Sequence, residues 1–71
     1  MGEKNYLRMI GENISRIRKK RGLTINKLGY MCDIEKSNLI PIEKGRINIT
    51  IKTLVKIAKA LNANLQDLIK N

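Results

Sequence analysis

The seventy-one residues predict an all-α domain built from five short helices, and three observations lead there. Apolar residues recur three and four apart in one segment after another, and no stretch alternates with the period of two that a half-buried strand requires. Residues suited to start a helix (Thr24, Thr50, Asn64) and to end one (Gly22, Asp33, Gly45, Asn62) punctuate the chain at short intervals. No repeat, low-complexity run or flexible linker divides it, so residues 1–71 read as one domain.

The first helix shows in Leu7, Ile10, Ile14 and Ile17, and closes in the basic run Arg18 to Arg21 before Gly22. Cations in a last turn complement the helix dipole, which is reason enough for that run in structural terms. Thr24 is placed to cap a second helix whose inner face is Leu28, Met31 and Cys32. Asp33 follows, where a left-handed backbone is cheap for Asp or Asn. The third helix spans Lys36 to Lys44 with Leu39 and Ile42 inward, and Gly45 ends it. In the fourth, within NITIKTLVKIAKALN, Thr50 caps, Leu54, Ile57, Ala58 and Leu61 form the buried stripe, and Lys52, Lys56 and Lys59 face water. Asn62 is a suitable left-handed terminator. Asn64 then opens a fifth helix with Asp67 three residues on, near a capping box, and Leu65, Leu68 and Ile69 stand at i, i+3 and i+4.

Composition narrows the function. Fifteen Lys and Arg against six acids give a net charge of +9, and a domain so basic attracts polyanions, chiefly nucleic acid or an anionic membrane face. The cations crowd the first two thirds of the chain. A domain of this size buries only about 60% of its unfolded surface, which leaves little room for an enzyme cleft. With no histidine, no ligand cluster, no Gly-rich phosphate loop and no nucleophile beside a base, neither catalysis nor a metal or other cofactor is expected. Cys32 reads as a small core residue, and a lone cysteine suits a reducing cytoplasm. No apolar run approaches the roughly 18 residues of a membrane span, and the chain lacks the Trp and Phe that seat interfacial helices. The opening MGEKN has no apolar region of a secretory signal, and Gly2 as a lipid anchor is discounted because Tyr6 stands where Ser or Thr is expected.

The stretch from Ile25 to Lys44 is more specific than helicity. Leu28, Gly29, Cys32, a turn at Asp33 and Ile34, then Leu39 and Ile42 are the layout of two helices crossing steeply over a tight turn, with Gly29 small because the second helix passes close to the first. This segment resembles the helix-turn-helix of the lambda repressor/Cro family, often called the XRE family. IGENISRIRKKRGLT resembles that family's first helix, IEKG its recognition-helix ending, and TLVKIAKALNANLQDLI its last two helices, so the likeness covers Ile10 to Ile69.

The resemblance implies roles residue by residue. Arg18 and Glu43 match an ion pair tying the first helix to the end of the recognition helix. Thr24, Ile25 and Lys27 match a helix start that faces a phosphate. Lys36, Ser37 and Asn38, behind Glu35, match the exposed front of the recognition helix, and Pro41 a groove-facing position beyond it. Lys44, Arg46 and Asn48 match a loop that meets backbone phosphates. The chemistry suits those places: Lys36 can donate to guanine O6 and N7, Asn38 can pair with adenine N6 and N7, and Ser37 is less selective. Outside such a motif they are ordinary solvated first-turn residues.

Two residues depart from the pattern. Where the family usually has Gln, Ile25 cannot bond a phosphate, so the anchor is lost or passes to backbone amides. Pro41 replaces a usual polar residue. It withholds an N–H from the Ser37 carbonyl, at about 3 kcal/mol in an ordinary helix interior, and biases Ile40 away from helical geometry. Either the helix kinks after its first turn, or the ring is itself a contact, an apolar edge for a thymine methyl.

The function implied is a sequence-specific, double-stranded-DNA-binding transcriptional regulator, a small repressor or controller protein acting as a homodimer on a palindromic operator. Leu65, Leu68 and Ile69 are candidates for the dimer contact or for closure of the monomer core. The alternative is an antitoxin-like module held by a small protein partner through the same fold.

Overall fold

The computed structural model describes the backbone from Glu3 to Asn71 and side chains from Asn5 onward. Gly2 lies outside the described residues. Five helices follow in order: α1 Glu3–Lys20, α2 Ile25–Cys32, α3 Lys36–Glu43, α4 Ile51–Ala60 and α5 Leu65–Ile69. Among the described residues there is no strand, and no helix is long and apolar enough to cross a membrane.

The punctuation residues act as the sequence predicts. Thr24 Oγ1 accepts from Lys27 N at 3.0 Å and Thr50 Oγ1 from Thr53 N at 3.2 Å, each satisfying a first-turn amide that has no partner inside its helix. Asp33 and Asn62 take positive φ of 57° and 54°. At the start of α5, Asp67 Oδ2 accepts from Asn64 N at 3.1 Å.

Packing closes a ring: α1 lies on α3, α3 on α2, α2 on α4, α4 on α5, and α5 returns to α1. The core fills its centre, with Ile14, Leu28, Leu39, Ile57, Leu61 and Leu68 fully buried and Cys32, Ile42, Leu54 and Ala58 nearly so. Every helix contributes at least one of these. Each large apolar side chain so buried stabilises by roughly 1.5–3 kcal/mol, and short helices depend on that, because none so brief holds its shape alone in water.

Two readings are corrected. Met31 is 45% exposed, because α2 turns Leu28, Gly29 and Cys32 inward and leaves Met31 on the far edge of that stripe. Leu68 is 0% exposed within its own chain, so it belongs to the core and has no surface to offer a second copy. Leu65 is half-buried and packs against the core with part of its surface exposed, and Ile69, 43% exposed, stands on the outside of α5.

Burial of Cys32 pushes its thiol pKa up from 9.0, and Sγ lies 3.0 Å from the Leu28 carbonyl, placed to donate to it. It is a packed core residue in a protonated state at neutral pH.

Candidate nucleic-acid interface

The helix-turn-helix is built around the turn after α2. Asp33 adopts the left-handed conformation there, and Ile34 N donates back to Gly29 O at 2.9 Å. A Cβ on Gly29 would lie 2.5 Å from the Ile34 carbonyl oxygen and 3.7 Å from the Leu39 side chain. The glycine therefore makes room chiefly for the turn's own carbonyl, and secondarily for α3.

Past the turn, α3 buries Leu39 and Ile42 and leaves Lys36, Ser37 and Asn38 exposed on its first turn. Pro41 does not break it. The helix runs unbroken from Lys36 to Glu43 with Ile40 in helical conformation, because the buried side chains on either side outweigh the local bias that Pro41 puts on Ile40. Asn38 N and Leu39 N both donate to Glu35 O at 2.9 Å, and Arg46 N donates to Pro41 O at the same distance.

The far end of α3 is fixed from three directions. Arg18 Nε donates to Glu43 Oε2 at 2.7 Å and Arg18 Nη2 to Oε1 at 3.0 Å, a two-pronged pair with side-chain exposures of 12% and 8%. The same guanidinium donates to the Leu23 carbonyl at 2.9 Å, so it also holds the α1–α2 turn. Gly11 lets α1 lie directly on the end of α3: a Cβ there would be 2.6 Å from Ile42 O and nearer still to Glu43 O. Gly45, at φ +69°, meets the α1 backbone at Arg8 with the same intolerance, a Cβ falling 2.6 Å from its Cα.

Gly11 and Asn13 hold structural roles not expected from the sequence. Asn13 is 6% exposed, and its Nδ2 donates to Leu68 O at 2.9 Å and Lys70 O at 2.7 Å, while its Oδ1 accepts from Arg16 at 2.6 Å. It ties α5 to α1. The signal for both was available, since Gly11 and Asn13 interrupt the apolar stripe of α1 and a small or polar residue on such a stripe demands a reason.

The other predicted contact residues fall on or beside this face. Lys44, Arg46 and Asn48 are exposed on the loop leaving α3, and Thr24 and Lys27 are exposed at the start of α2. Lys27 Nζ sits 5.7 Å from the centroid of the Tyr30 ring on its own helix, a cation–π contact worth about 0.5–1 kcal/mol at an exposed site. Ile25 differs from the rest. It is half-buried and packed against the core, so its side chain contributes packing. Of the carboxylates beside these cations, Glu43 is already taken by Arg18.

A family model described as a helix-turn-helix domain matches residues 11–71. The chain belongs to that family. It is 31% identical over 67 residues to the control protein C.BamHI of Bacillus amyloliquefaciens, covering 92% of this chain and 83% of the relative. Among solved structures, a helix-turn-helix family transcriptional regulator from Vibrio cholerae superposes with a TM-score of 0.89 at 30% identity, over 94% of this chain and 38% of that one. The restriction-modification controller protein C.AhdI from Aeromonas hydrophila superposes with a TM-score of 0.85 at 24% identity, over 87% and 94%. The last likeness speaks to the fold. This helix-turn-helix domain therefore carries its family's five-helix, all-α architecture over nearly its whole length.

Proposed function

We propose that this DNA-binding transcriptional regulator acts in the cytoplasm as a homodimer on a roughly palindromic operator, as a small repressor or controller protein. The observation that carries the reading is α3: a helix pinned on its inner side by Leu39, Ile42 and the Arg18–Glu43 pair, with Lys36, Ser37 and Asn38 free on its first turn. A recognition helix needs both properties, because base readout depends on a front turn held in fixed register to the groove. In this reading Lys36, Ser37 and Asn38 read base edges. Thr24, Lys27, Lys44, Arg46, Asn48 and the backbone at Ile25 meet phosphates. Leu65 and Ile69 remain the candidate contact between copies, and a similarity to C.BamHI supports the controller role.

The test is selection of bound duplexes from a randomised pool at near-physiological salt. A two-fold symmetric site with half-sites about one helical turn apart is the expected product. Binding should weaken with salt by roughly 0.9 log units per phosphate contact per log of salt. Failure to enrich any sequence would refute sequence-specific readout.

A second reading has its own support: Tyr30 and Met31 stand adjacent on the outside of α2, 83% and 45% exposed. Exposed apolar groups of that size suit a small protein partner, as in an antitoxin-like module. A partner seated there would bind with little dependence on salt.

A further inference from the structure

Ile25 opens α2, Ile40 and Pro41 form the second turn of α3, and all three are half-buried, each with apolar surface still outward. Ile25 and Ile40 line one groove of about 530 Å³ between α1, α2 and α3, with Lys19 and Lys44 also in its wall. Residues four apart on a helix share a face, so Ile40 stands behind Lys36 and Pro41 behind Ser37. The outward side of α3 is thus polar on its first turn and apolar on its second. Pro41 sharpens the contrast, since its ring offers neither a donor nor an acceptor.

Resting on the DNA-binding reading above, we propose that Ile40 and Pro41, with Ile25 packed beside them, are specificity-determining residues that read thymine through its C5 methyl group. In the major groove that methyl is the apolar feature by which one base pair differs from another, and apolar side chains are its natural partners. A helix entering by its front turn brings its second turn to the next base pairs along the groove. The groove's acids do not argue for a different occupant: Glu43 is held by Arg18, and Lys19 and Lys44 outnumber Glu12 in the same wall, which favours a polyanion over an apolar peptide. The operator should therefore carry thymines in each half-site, adjacent to the positions read by Lys36 and Asn38.

Deoxyuridine supplies the test, because it keeps every hydrogen-bonding group of thymine and removes only the methyl. Affinity is measured at fixed salt for the selected operator and for copies with thymines replaced one at a time. Binding should weaken by about fourfold for each methyl that the apolar row covers, the factor one buried methylene is worth. Pro41→Gln and Ile40→Thr should each abolish the penalty at one thymine while leaving it at the others, which a merely structural role would not do. Circular dichroism shows whether each variant keeps its helices. Should the deoxyuridine operators bind as well as the original, or the selected operator lack thymines there, the inference is overturned while the DNA-binding reading stands. If no duplex is enriched at all, both fall.

Discussion

Replacing Gly11 by alanine sets two opposed effects against each other in one helix. In an exposed helix interior the change stabilises by up to about 1 kcal/mol, since glycine is the poorest helix former after proline. Here the added Cβ would sit 2.6 Å from Ile42 O and 2.7 Å from the Glu43 carbonyl carbon. Ordinary contact begins near 3.4 Å, and Glu43 O lies nearer still, so α1 and α3 must part by more than about 0.8 Å. The obstructing atoms are backbone and cannot rotate aside as a side chain end would. Overpacking of this kind costs typically 1–3 kcal/mol, so the net expectation is a loss of about 1–2 kcal/mol. For a domain of this size that corresponds to a fall in Tm of about 5–15 °C, read by thermal and urea denaturation. The displacement also moves the end of α3 on which Arg18 grips Glu43, so DNA affinity should drop with stability. A Tm that is unchanged or raised would refute the close approach of α1 to α3.

Arg18→Ala or Glu43→Ala should each cost up to about 3–5 kcal/mol, because either change strands a largely buried charge; the double variant should lose far less than the sum, and additive losses in urea titrations would show that the two are not coupled. Burial holds the Cys32 thiol pKa above 9.0. Its contribution to stability is therefore intact below that pH and lost as pH rises through the folded value, since the unfolded thiol ionises first. Urea denaturation from about pH 8 to about pH 11 should show a steeper decline for the wild type than for Cys32→Ala, and parallel curves would contradict the burial effect. Pro41→Ala should raise stability by up to about 3 kcal/mol by restoring a donor to Ser37 O; a loss of stability would mean the ring makes packing contacts that outweigh the missing bond.

The helices were legible because each carried its own boundary chemistry. Thr24, Thr50 and Asn64 announce starts, and Asp33, Gly45 and Asn62 announce ends, by local hydrogen bonding and local backbone preference alone. What stayed hidden depends on partners distant in sequence. Asn13 looks like an ordinary polar residue until α5 returns and presents two carbonyls to it, more than fifty residues on. Gly11 looks like a weak spot in α1 until α3 lies across it. Met31 is misplaced by the sequence, and Leu68 left open between core and surface, for a related reason: periodicity gives a helix an apolar side without saying how wide a strip the neighbours cover. For α2 the cover stops short of Met31, and for α5 it takes in Leu68 and leaves Ile69 out.

Pro41 shows how tertiary structure can relocate a local cost. In an isolated helix its ring and missing N–H would end the helix, and eight residues are too few to resist. In this chain α3 is held by contacts that bypass the proline: Leu39 and Ile42 in the core, Glu43 on Arg18, and the loop beyond, whose Arg46 N–H uses the Pro41 carbonyl. The one group deprived is the Ser37 carbonyl, on an exposed residue where solvent can serve it. That carbonyl also lies on the face proposed above to meet DNA, beside the exposed Lys36 and Asn38. On that proposal, stability is given up on the outward face, where the surface decides what can be read, and the inner face packed by Leu39 and Ile42 is spared. Sites selected for function tolerate such losses while the rest of the fold supplies the margin.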